Sequence, residues 1–105
     1  MIYVEATIRV APDKVEEFKK LLEKHLPLAE KYGRKLVGSW ETLIGPRIPR
    51  QIVNLWAFED MAHRERYNAV FSKDEELLKS RSRLESLILE ETTKIMVPTP
   101  YSPLK

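Results

Sequence analysis

His25 and His63 are the two histidines of the chain, and imidazole is the side chain that gains and loses a proton near neutral pH, so a general base starts with them. His25 falls on the apolar border of a helical repeat just before Pro27, where it could face a cavity; a half-buried ring with a backbone partner is the plainer expectation. His63 lies in the charged run AHRERY and reads as a solvated surface residue. Tyr32, Trp40, Trp56, Phe58 and Tyr67 bring large rings with few polar tips, the lining that a pocket for a flat or apolar small molecule needs. Asn54, two residues before Trp56, adds a group that hydrogen-bonds but cannot titrate. These six are the candidate ligand-binding residues, and the rings serve a core equally well. Glu5 and Glu41 could act as acid and base if their strands met, although exposure or pairing with Arg9 or Lys94 is the expectation.

Other chemistries are missing. The chain has no cysteine, which removes disulfides, thiolate nucleophiles, iron–sulfur clusters and cysteine zinc sites. No HExxH or clustered His/Asp/Glu spacing points to a metal, and Gly33, Gly38 and Gly45 are too dispersed for a phosphate-cradling loop, so no metal and no cofactor is expected. Eighteen Lys and Arg against 16 Asp and Glu leave a net charge of only +2, so neither nucleic acid nor an anionic membrane is indicated as a partner. Arg34, Lys35, Arg47 and Arg50 gather around one hairpin, and Arg64, Arg66, Lys73, Lys79, Arg81 and Arg83 around a later helical region. Such clusters could recruit an anion; the interspersed acids make solvated faces the expectation.

The elements that must carry these residues follow from period and punctuation. Residues 2–10 alternate, with Ile2, Val4, Ala6, Ile8 and Val10 apolar, which predicts a strand with one buried face and no membrane span or leader, hence a soluble, cytoplasmic protein. Pro12 and Asp13 open an amphipathic helix through Val15, Phe18, Leu21, Leu22 and His25, kinked or broken at Pro27 and closed by Gly33. Strands are predicted over residues 35–44 and 51–58, joined by a mobile basic loop, GPRIPR. Asp60 should cap a helix from Met61 to Phe71, and Ser72 to Glu75 reads as a capping box for a short helix through Leu77 and Leu78. A polar linker, KSRSR, a last strand over about residues 87–97, and an extended proline arm over 98–105 complete the chain.

This order is β-α-β-β-α-β, the ferredoxin-like α+β arrangement of a four-stranded antiparallel sheet with helices on one face, filling one domain over residues 1–97. In the third strand Val53, Leu55 and Ala57 share one face and Ile52, Asn54, Trp56 and Phe58 the other, so both faces need cover. Placing Trp40, Trp56, Phe58 and Ile52 on the face away from the helices predicts an apolar patch that a second copy would bury.

The stretches LPLAEKYG, KLVGSWETLIG, VNLWAFED followed by AHRERY, and the closing PTPYSPL together resemble the NIPSNAP family of dimeric α+β barrel proteins over nearly the whole chain. The resemblance implies a homodimer joined through its sheets, a ligand cavity in each subunit between sheet and helices, and a biochemical activity that is undefined. An alternative from the same superfamily is a cofactor-free monooxygenase or isomerase acting on an aromatic or polyketide-like substrate, with His25, Asn54 and Trp56 as catalytic candidates. That alternative requires the three side chains to meet at one cavity, with His25 buried. Two departures weigh against family-wide catalysis: the family's ELRTY-like pattern falls here on Val4, Glu5, Ala6, Thr7 and Ile8, and its frequent histidine before the LW of the third strand is Asn54.

Overall fold

The computed structural model describes residues 1–45 and 50–105. Within them four strands, β1 (Ile2–Val10), β2 (Lys35–Glu41), β3 (Ile52–Phe58) and β4 (Ile88–Met96), form one sheet in the order β2-β3-β1-β4, and every pairing is antiparallel. Three helices, α1 (Val15–Ala29), α2 (Met61–Phe71) and α3 (Glu75–Glu85), supply the crossovers, with a 3-10 turn at Pro12–Lys14 ahead of α1. The ferredoxin-like α+β expectation therefore holds. Part of the β2–β3 connection, including Arg47, lies outside the described residues.

The period-two pattern of β1 sends Ile2, Val4, Ala6, Ile8 and Val10 inward. In α1 the buried residues Val15, Phe18, His25 and Ala29 recur near heptad spacing along the stripe that meets the sheet. Pro27 does not break the helix, which runs on to Ala29. A proline this close to the C-terminus removes only one hydrogen bond of the last turns, and Glu30 N–H still reaches the Leu26 carbonyl at 2.9 Å. Gly33 then takes φ +91°, a left-handed conformation open to glycine.

The faces of β3 are the reverse of the sequence assignment. Ile52 packs with Phe18 and Ile8, and Trp56 and Phe58 pack with Ala29 and Tyr67, so these residues look toward the helices. The other face bears Val53 and Leu55, with Trp40 paired to Val53 in the β2 register. A bulge between Leu36 and Gly38 lets Leu36 align with Trp56 while Trp40 aligns with Val53, which separates the two tryptophans onto opposite faces. Sequence alternation could not show this, because one extra residue inverts the phase of everything beyond it.

Three further expectations change. The KSRSR segment is helical, the middle of α3; Leu77 and Leu84, seven residues apart and both buried, anchor one face of that helix against the core. Its cap is Asp74, which accepts a hydrogen bond from Leu77 N–H at 3.0 Å, and Ser72 instead closes α2. The tail is not a straight arm: Ser102 N–H bonds the Thr99 carbonyl at 3.1 Å, a turn with Pro100 in its favoured second position. Leu77 is fully enclosed, so Leu77→Ala should lower unfolding stability by about 2–5 kcal/mol. Urea titration checks this, and a midpoint equal to that of the native chain contradicts the packing described.

Candidate functional site

A cavity of about 400 Å³ lies between the inner face of the sheet and the three helices. Its apolar wall comes from Val4, Ala6 and Ile8 of β1, Phe18 and Leu22 of α1, Trp56 and Phe58 of β3, and Leu84 of α3. Its polar groups are His25, Arg34, Asn54, Arg64, Asn68, Arg81, Glu91 and Thr93. Of the sequence candidates, His25, Asn54, Trp56 and Phe58 meet here. Tyr67 stands just behind, edge-on to Phe58 at 5.6 Å, and Tyr32 donates its hydroxyl hydrogen to Asp74 at 2.7 Å. Trp40 does not belong to this site. It is 56% exposed on the opposite face, and its ring lies so close over Gly38 that a Cβ there would come within 2.4 Å of it.

His25 is 3% exposed, and its Nδ1 shares a 2.7 Å hydrogen bond with Ser80 Oγ rather than with the backbone. Ser80 and Arg81 fall three and four residues after Leu77 on the inward stripe of α3, which is why the KSRSR segment furnishes Arg81 to the cavity and Ser80 to His25. Burial first, and then the charges of Arg34 and Arg81, pulls the imidazolium down to about 4. The ring is neutral at pH 7. Asn54, 2% exposed, accepts from Ser39 Oγ at 2.5 Å through Oδ1, which leaves its amide hydrogens for other partners.

Arg34, which the sequence reading placed only in a basic cluster around the hairpin, lines the cavity. Its guanidinium stacks 3.5 Å from the centre of the Trp56 ring and is 3.5 Å from the Tyr67 hydroxyl through one terminal nitrogen, while Nε is enclosed with no hydrogen-bond partner among the described residues. Burial lowers its pKa to about 10, with the like charge of Arg81 acting in the same direction; it remains cationic at neutral pH. The turn that presents it is clamped by His63, which is not a free surface residue. Glu59 N–H donates to His63 Nδ1 at 3.0 Å, so Nε2 carries the hydrogen and donates to the Tyr32 carbonyl at 3.2 Å. A Cβ at position 33 would sit 2.9 Å from that Nε2, so glycine is required there by space as well as by φ.

The proposed carboxylate pair is not assembled. Glu5 lies on the open face beside Lys94 at 3.5 Å, whereas Glu41 pairs with Arg50 at 2.9 Å and with Lys19 on the helix side.

The NIPSNAP family model matches residues 3–103. A NIPSNAP domain protein from Burkholderia xenovorans superposes with a TM-score of 0.88 at 24% identity, covering 98% of this chain and 99% of that one. A NIPSNAP family protein of unknown function from Agrobacterium tumefaciens gives 0.89 at 28% identity, covering 100% and 94%. A cofactor-independent oxygenase from Streptomyces nogalater shares the fold with a TM-score of 0.70 at 12% identity, covering 97% and 96%. No match is found among curated protein sequences.

The depressed His25 gives a pH prediction. The unfolded chain takes up this proton near the ordinary value of 6.5 and the folded chain only near 4. Stability is therefore full above about pH 6.5 and declines as pH falls toward 4, by on the order of 2–3 kcal/mol from this group. His25→Gln, which can keep the Ser80 hydrogen bond, should flatten that decline in urea midpoints measured from pH 7 to 4; an unchanged slope contradicts the burial argument.

Proposed function

The chain belongs to the NIPSNAP family, and from that premise we propose that it binds a small molecule with an apolar or aromatic body in the cavity between sheet and helices, as a homodimer joined through the open sheet face. The observation that carries the binding reading is the cavity itself: about 400 Å³, walled by Trp56, Phe58, Phe18 and Leu22, with polar side chains among its lining. A cavity of this size with an apolar wall beside its polar groups suits an organic ligand that carries both kinds of surface.

The dimer rests on a smaller surface than the sequence pointed to, since Trp56, Phe58 and Ile52 are already covered by helices. What remains on the open face is an apolar half, with Trp40, Val53 and Leu55, and a charged half in which Arg9 pairs with Glu90 at 3.4 Å and Lys94 with Glu5 at 3.5 Å. The exposed indole of Trp40 is the large ring an interface would bury.

A second reading has one observation in its favour: His25, Asn54 and Trp56 do line a single cavity, and His25 is buried. This is the condition that a cofactor-free monooxygenase or isomerase needs, and the S. nogalater protein of the same fold is such an oxygenase. The neutral imidazole would take a proton from an acidified aromatic substrate, a step limited by its weak basicity.

Sedimentation equilibrium tests the assembly: a particle of twice the monomer mass at micromolar concentration is expected, and Trp40→Glu should shift it to monomer by placing charge at the seam. A native chain that sediments as a monomer, or a Trp40→Glu dimer of unchanged affinity, contradicts it.

A further inference from the structure

We propose that the cavity selects an anionic ligand, an organic carboxylate or a comparable oxyanion on an apolar body, and that Arg34 is the group that anchors its charge. This rests on the small-molecule reading above and names the class of ligand.

Among the described residues three arginines, Arg34, Arg64 and Arg81, line the cavity against one carboxylate, Glu91, while His25 is neutral at pH 7. Arg81 is already engaged, with Glu85 at 2.9 Å and Glu91 at 3.9 Å. Arg34 has no ion-pair partner among the described residues: its neighbours are the Trp56 ring at 3.5 Å, the Tyr67 ring at 5.4 Å and the Tyr67 hydroxyl at 3.5 Å, a long contact. With its centre 3.5 Å over the indole the guanidinium is held from one side, and its terminal nitrogens are left with at most the long Tyr67 contact, a donor pair suited to a carboxylate.

The enclosed Nε is the second, independent sign. An N–H shut away from solvent without an acceptor is costly in a folded protein and rare. Arg34 Nε is in this state, while the fold holds the side chain there through Gly33, the His63 clamp and the Trp56 stack. Nε itself is closed to anything the size of a water, so a ligand carboxylate would meet the guanidinium at its terminal nitrogens and supply the counter-charge it lacks. The apolar remainder would then lie along Phe18, Leu22 and Ile8.

The probes are 2-naphthoate and its neutral isostere 2-naphthamide, titrated into the full-length protein and followed by calorimetry, with tryptophan fluorescence as a second signal. The acid should bind at least about tenfold more tightly than the amide at pH 7, since a hydrogen bond to a charged group is worth about that or more. In Arg34→Met the acid should lose about 10- to 100-fold while the amide changes less than about threefold, and Arg34→Lys should recover part of the loss. Equal binding of acid and amide to the native protein overturns the anion assignment and leaves small-molecule binding standing. Loss of both probes in equal measure on Arg34→Met, in a variant whose thermal unfolding matches the native chain, also overturns it. Binding of neither probe overturns both the anion assignment and the small-molecule reading; the native-chain comparison stands whether or not the variants fold.

Discussion

The stack of the Arg34 guanidinium on the Trp56 indole, 3.5 Å apart inside the helix–sheet space, is the contact around which the site is organised. A cation drawn partly out of water needs compensation, and here an aromatic face supplies part of it where a carboxylate usually would. Holding the cation there places demands on the surrounding chain. Gly33 must turn with positive φ, His63 must bridge the start of α2 to the Tyr32 carbonyl, and Tyr32 must reach Asp74. Asp74 in turn caps α3, the helix that brings Ser80 and Arg81 to the same space. One carboxylate and one histidine thus tie the α1 turn to both later helices, and the cavity is the volume those ties leave open.

The two tryptophans divide the labour of the sheet. Trp56 faces the helices and forms the wall of the cavity, while Trp40 lies on the other side over Gly38, which has no Cβ to displace it. The bulge in β2 is what produces this division. Without it, the two rings would lie on the same face, as alternation alone suggested. The open face is correspondingly mixed, apolar along β2 and β3 and paired in charge along β1 and β4. Polar cross-strand pairs of that kind add little affinity and favour one register of docking over another. Among the described residues no helix is long and apolar enough to cross a membrane.

Much of the fold was legible because β1 and α1 repeat their apolar residues with clear periods and because proline, glycine and aspartate mark most boundaries. The family, too, was legible in the paired tryptophan segments and the proline tail. What failed did so for identifiable reasons. The phase of β3 was ambiguous because both its faces are apolar. The KSRSR segment looked like a linker because its charges hid the Leu77–Leu84 stripe. His25 was found as a candidate from its place in a helical repeat, but its partner, Ser80, lies 55 residues away, and no local pattern could pair them. Arg34 was grouped with exposed basic residues, since nothing in its neighbourhood reveals that the turn folds inward onto Trp56.

The most direct test of the whole account is a crystal structure of the protein soaked with 2-naphthoate at pH 7. The account predicts the carboxylate within hydrogen-bonding distance of a terminal nitrogen of Arg34, with the rings against Phe18 and Leu22. A ligand seated instead on the Trp40 face, or lying in the cavity with its carboxylate turned away from Arg34, would contradict it.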